Sequence, residues 1–502
     1  MFPLIETTAY ICLVWSVVIV GVQVVGVCAT FRFFLRRPSP PVSSTLGRDA
    51  PVVTIIRPVK GIEPHLYECL ASTFQQDYPL DRLSIRLCIE DDNDPAYPVL
   101  AKVVADFPAV DARILLEAQD PALHGSEAHL ELGPNPKIRN IRRAYREAEG
   151  DIIWIIDCNV WVSSGVLGRM VDKLNGYTPS GSAKPYKFVH QMPLVVDTTE
   201  SKLDSAASAP SWISRKGGGL LDEMFMATTH VKFYGAINAV GIAPCIVGKS
   251  NMFRKSHLDR VTTASDNPLI IQLPRRPSGV DYFSHNICED HLIGDLLWRS
   301  IIPGFRNHGL AWGDLAVQPM ADVSVATYAA RRTRWLRARK MTVLVATLVE
   351  PGVESLLCCG CLAFALTTVP RFRDHLSIPS TWKAAGLLWA ALVTLWMAAD
   401  YFTFRMLHSG ASVEVDKRTP RFARGTSHKE GTTFRPWTAW LLTWMGREIM
   451  AFPIWTWAVL LGTTVSWRGR TFHVNWDASV VDMTRSAPNG ALPDRAKKDR
   501  VD

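Results

Sequence analysis

At 502 residues and 48% hydrophobic content, the chain is too long for one small core and allows two or three units. The net charge of +8 suits nucleic acid or anionic lipid, but no nucleic-acid module is present and the basic residues cluster beside apolar runs, which favours a membrane surface. The 17 Trp fit interfacial belts, and the 10 Cys form neither a paired CxxC framework nor a Cys/His zinc spacing, which fits a reduced, cytosolic soluble part.

Residues Thr7 to Phe31 carry no charge, and Arg32, Arg36 and Arg37 come directly after them. At about 1.5 Å per residue this stretch can cross ~30 Å of hydrocarbon, and it lacks the basic n-region of a signal peptide. Residues 1–37 therefore read as an uncleaved anchor, with the arginines placing the adjoining globular part in the cytosol. A Pro/Ser linker over 38–50 leads into that globular part, which spans 51–340.

The β-branched run Pro51 to Arg57 predicts a buried strand, and Pro64 to Gln76 a helix. Strands are expected at Leu83 to Glu90, Val110 to Leu116 and Asp151 to Ile156, with a helix over Pro136 to Glu149. Such alternation predicts an α/β domain with a mainly parallel sheet. Asp91 and Asp157 each follow a strand directly, where ligands of open α/β sheets bind. Each could also be a turn former or helix cap. Asn175 to Pro185 and residues 260–280, around Arg275 and Arg276, read as surface loops.

Glu289-Asp290 can start a helix, since acids favour a first turn. Residues 331–340 hold six basic residues and can lie at a headgroup layer. Beyond Lys340 the chain turns apolar again, with candidate spans at 355–370, 384–404 and 449–467 within a membrane region 341–470. The run 436–446, cut off by Arg447-Glu448, is too short to span alone. The cluster Cys358-Cys359-Gly360-Cys361 reads as apolar packing. Residues 471–502 form a basic tail expected to be partly disordered.

The ordered set of motifs resembles the GT-A glycosyltransferases of the processive-synthase type and, more closely, the ceramide glucosyltransferase family. The strings are Arg57-Pro-Val-Lys-Gly61, Cys88-Ile-Glu-Asp-Asp-Asn-Asp-Pro95, Asn135-Pro-Lys-Ile138, Ile155-Ile-Asp-Cys158, Glu289-Asp290 and Arg331-Arg-Thr-Arg-Trp335. Weaker echoes are His190, Thr229-His230 and Cys245-Ile-Val-Gly248. The resemblance implies a GT-A domain between N- and C-terminal transmembrane helices. It implies that Asp91 holds the uridine end of a UDP-glucose donor and that Asp157 coordinates a divalent metal, Mn2+ or Mg2+. Asp290 would be the general base, and Lys137, Arg331, Arg334 and Trp335 would border the diphosphate. Glu289, His190, His230 and Cys245 would line the donor or acceptor pocket, though the last three fit pocket wall or core equally well. The motif Asp157-Cys158-Asn159 lacks the second carboxylate of a full DxD.

The implied acceptor is the primary hydroxyl of ceramide, and the implied location a Golgi or ER membrane. Related enzymes that make polysaccharides or dolichyl-phosphate sugars are a second reading; the long-channel version would need more spans. A transporter would place polar residues in several spans, and a dead scaffold would have lost one of the three acids.

Overall fold

The computed structural model describes residues 2–124, 132–199, 214–270 and 277–484. The loop around Arg275 and Arg276 and the tail beyond residue 484 lie outside them. In chain order the strands are β1 Val53–Pro58, β2 Leu83–Ile89, β3 Asp111–Leu116 and β4 Ile152–Ile156, then a small hairpin of β5 Tyr177–Thr178 and β6 Gly181–Ser182. They continue with β7 Tyr186–Asp197, β8 Ser250–Arg254 and β9 Arg306–Met320, and end with β10 Thr464–Trp467, β11 Arg470–Val474 and β12 Val480–Asp482.

Seven strands form the central sheet, in the order β3-β2-β1-β4-β8-β7-β9. Pairings β1·β2, β2·β3, β1·β4 and β7·β9 are parallel, whereas β8 runs antiparallel to both neighbours. The expected mainly parallel α/β sheet is present. Side chains alternate between its faces, as period-2 geometry requires. Ile55, Trp154 and Ile156 enter one core with Leu70, Leu100 and Met170, while Ile56, Ile153 and Ile155 enter a second core with Ile138, Ile141 and Phe253. Both faces are covered, which explains why these strands read as continuous apolar runs.

The strand β9 bulges opposite His190 to Met192 of β7, where Gly313 takes a left-handed φ of +90°. Beyond the bulge, Met192, Leu194 and Val196 of β7 meet Phe34, Phe404, Trp440 and Trp444. This end of the sheet therefore abuts the apolar helices. The stretch 38–50 is not a loose linker. It forms two 3-10 turns, and the Asp172 carboxylate accepts from the backbone N–H groups of Val42 and Ser43.

Among the described residues, helices Leu4–Phe34 and Trp382–His408 are long and apolar enough to cross a membrane. A pair bent by 73°, Leu344–Val353 and Ser355–Thr368, makes a third if it is one span. The separate span expected at 449–467 is not found. Helix Trp437–Trp455 runs straight through Arg447 and Glu448, continues as a π turn to Leu460, and the chain enters β10 at Thr464. The run continues because its charges are buried and paired. Arg447 bonds Glu354 and Thr229, both at 2.6 Å, and also Glu448. Asp400 accepts from Lys232 and, at 2.8 Å, from Trp444 Nε1. Where a tail was expected, β10, β11 and β12 form a three-stranded sheet.

Candidate active site

The carboxyl ends of β2, β1 and β4 lie side by side, so Asp91 and Asp157 follow strands that flank β1 at the same end of the sheet. At about 4.8 Å per strand their backbones stand roughly 10 Å apart. The Asp91 carboxylate accepts from the N–H of Asn93 at 2.8 Å. Its neighbour Asp94 is structural: it accepts from Gly61 N–H at 3.0 Å and so fixes the loop after β1. Arg57 is fully buried and donates to the carbonyls of Cys69, Cys158 and Val160, which ties down the turn after Asp157.

Lys137 gathers the remaining acids. Asn135 caps helix Pro136–Arg146: its side chain accepts from the N–H groups of Lys137 and Ile138, and Pro136 needs no partner for its missing donor. The cap aims Lys137 Nζ at three carboxylates. It lies 3.0 Å from Asp290, 3.1 Å from Glu289 and 3.4 Å from Asp157. Asn135 Nδ2 also donates to Glu289 at 2.9 Å. Glu289 and Asp290 do start a helix, Glu289–Arg299, so the capping and site readings of this pair hold together.

A second cation, Lys249, bonds Asp157 at 3.0 Å and Asn159 at 3.4 Å. Burial would raise the Asp157 carboxyl, but Lys137 and Lys249 outweigh it and hold the group at about 2. Burial and the negative charge of Asp290 push Glu289 up, against the pull of Lys137. Gly248 adjoins this cluster, and a Cβ there would collide with the Asp290 carboxylate.

The basic-aromatic string lies on helix Val325–Arg339. Arg331 is 3.3 Å from the buried Asp222 and donates to Gln318 at 3.2 Å, and its guanidinium lies 4.9 Å from the Trp335 ring centre. Trp335 packs against Val195, Phe225 and Met320, and Arg334 follows Arg331 by about one turn. Glu63 lies in the loop after β1. Burial raises its carboxyl, and the charges of both Lys249 and Arg331 oppose that rise.

His190, His230 and Cys245 lie apart from the carboxylates, around Tyr234. His190 Nδ1 hydrogen-bonds the Tyr234 hydroxyl, and His230 stacks on the same ring at 5.1 Å. Burial lowers both imidazoles to about 3 and pushes the Cys245 thiol up to about 12. All three are therefore neutral side chains. Sequence reasoning missed Lys249, Glu63 and Asp222, and it quoted Asn135 without giving it a role. For Asn135 the signal was present, since an Asn before Pro is a cap pattern.

The layered sheet, with acids at its carboxyl ends and a basic helix beside them, has the arrangement expected of a GT-A glycosyltransferase. The chain belongs to glycosyl transferase family 21, whose profile matches residues 13–480. It is 54% identical to a ceramide glucosyltransferase of Gibberella zeae, over 96% of this chain and 94% of that one. It is 57% identical to one of Pyricularia oryzae, over 96% of both chains. Among solved structures it is similar to a mannosyltransferase of Pyrobaculum calidifontis in complex with GDP-Man and Mn2+, with 16% identity, a TM-score of 0.41, and coverage of 80% of this chain and 96% of that one.

Proposed function

We propose that this chain transfers glucose from UDP-glucose to the primary hydroxyl of ceramide, with inversion, giving β-glucosylceramide. The observation that carries the reading is the sharing of Lys137 by Asp157 and Asp290. With Asp157 on the donor side and Asp290 on the acceptor side, as proposed, both carboxylates lie within reach of one ammonium. Bond breaking and proton removal need that proximity.

In this reading Asp91 receives the uridine end and the diphosphate lies toward Asp157, Arg331 and Arg334. Asp290 accepts the proton of the attacking hydroxyl, a role worth typically ~10²–10⁴-fold. Trp335 borders the acceptor. His190, His230 and Cys245 line the apolar wall behind it.

A divalent metal at Asp157 fits the donor set in a limited way. Among the described residues no group of three or more His, Cys, Asp or Glu side chains could hold one. Asp157 and the Asn159 amide supply two oxygen ligands, which suits Mg2+ or Mn2+ completed by phosphate oxygens and water. When bound, the metal would neutralise charge on the departing diphosphate.

The chain is a membrane protein by its helices. Arg32, Arg36 and Arg37, at the end of the first of them and just beyond it, favour a catalytic domain on the cytosolic side of a Golgi or ER membrane. The direct test is to incubate purified protein with UDP-glucose and a panel of ceramides, sterols and dolichyl phosphate, and to identify the glycosylated lipid by mass spectrometry. Glucosylation of dolichyl phosphate or sterol in preference to ceramide would overturn the assignment.

A further inference from the structure

The sheet of β10, β11 and β12 comes directly after the π turn that ends helix Trp437–Trp455, and it sits on the loop that delivers Asp290. Val480 N–H donates to His285 O at 2.8 Å. Asn286 Nδ2 donates to Ala478 O at 2.8 Å, and Asn286 bridges Ser479 in antiparallel fashion. Ile287 packs into the small core formed by Val465, Phe472, Val474 and Val480.

The other side of the loop is held by Asn135, whose N–H donates to Ser284 O at 2.9 Å and whose side chain donates to Asn286 O. The residues just before Asp290 are thus gripped between a helix cap and β12. The start of the sheet and the π turn before it are anchored too. Arg337 donates to Trp457 O at 3.2 Å and Thr464 O at 2.8 Å, and Lys340 donates to Val459 O at 2.6 Å. Arg337 lies on the helix that carries Arg331 and Trp335, and Lys340 is the residue next after that helix.

We propose that this C-terminal sheet is a brace that sets the Asp290 carboxylate and couples it to the Arg331–Trp335 helix, with Asn286 as a positioning residue. The proposal rests on the reading of Asp290 as the base. Neither Asn286 nor Val480 contacts the acids directly, so their loss acts through loop placement. A displacement of about 1 Å at a reacting group can cost about a hundredfold in rate.

The test uses the full-length protein in nanodiscs. Asn286→Ala removes the bond to Ala478, and Val480→Pro removes the N–H given to His285. Both are assayed for kcat with UDP-glucose and a short-chain ceramide, and for UDP affinity by calorimetry, at a temperature where melting curves show the protein folded. A fall in kcat of about tenfold to a hundredfold, with UDP affinity within about twofold of wild type, is expected for either variant that stays folded. Wild-type kcat, or a UDP affinity that falls as far as kcat, overturns the brace; so does unfolding of both variants, which would make the sheet a general support. Asp290→Asn separates the two claims. If that variant still turns over, the base assignment fails; if it is inactive while Asn286→Ala is normal, only the brace fails.

Discussion

Lys137 donates to both carboxylate oxygens of Asp290, at 3.1 and 3.0 Å, from the first turn of a helix capped by Asn135. The same ammonium lies against Glu289 and Asp157. One side chain thus balances three acids that would otherwise repel one another.

Lys137→Met should therefore harm both stability and activity. Removing one partner of a buried ion pair costs about 3–5 kcal/mol. A lower melting temperature, with donor turnover reduced by about a hundredfold or more, is expected in thermal melts and steady-state assays. A variant as stable as wild type would show that the acids find another cation.

Asp290→Asn and Asp157→Ala should separate chemistry from binding. The first is expected to abolish glucosyl transfer while leaving UDP binding largely intact. The second is expected to weaken metal-dependent UDP binding, measured by calorimetry with and without chelator. Equal loss of binding in both variants would assign Asp290 to the framework rather than to catalysis.

Asp222 fixes Arg331 from a fully buried position, and among the described residues its carboxylate accepts no hydrogen bond. Asp222→Asn should release the guanidinium. The expected outcome is a rise of about threefold to tenfold in donor KM, with a smaller change in kcat. Unchanged donor KM would mean that Gln318 and Met320 suffice to hold Arg331.

His190 provides a pH test. Burial, with the charge of Lys173 adding, holds its folded pKa at about 3, whereas an unfolded imidazole titrates near about 6.5. Above about 6.5 both states are neutral and His190 adds no pH dependence. Below that the unfolded chain binds the proton first, so stability falls as pH drops from about 6.5 toward 3. The melting temperature of wild type should fall more between about pH 7 and pH 5 than that of His190→Gln. Parallel curves would show that His190 is protonated in the folded state.

Of the first four strands, β1, β2 and β4 were legible because each is a short, mostly apolar run covered on both faces, while β3, at the sheet edge and half-exposed, showed as a short alternating run. The strands β7 and β9 were not legible, since Pro193, Gly309 and Gly313 interrupt their patterns and their pairing joins residues more than a hundred positions apart. The acids and the basic-aromatic string were legible as motifs, and Asp157, Glu289 and Asp290 do converge on Lys137. Lys249 was not, because its meaning comes from Asp157, 92 positions earlier. Arg447 and Glu448 signalled a break in the last apolar run. Only the tertiary partners Glu354 and Thr229 show why the helix continues through them.

Those partners also dictate an order of assembly. Glu354 and Asp400 leave the ribosome before Arg447 does. Until the final helix arrives, Glu354 lacks its bond to Arg447, and Asp400 has Lys232 but neither Trp444 nor Arg447. A nascent chain halted after residue 408 would carry acidic side chains at a helix junction meant to be dry. Docking of the last helix therefore completes the charge balance of the membrane half and at the same time delivers the small sheet to the loop that precedes Asp290.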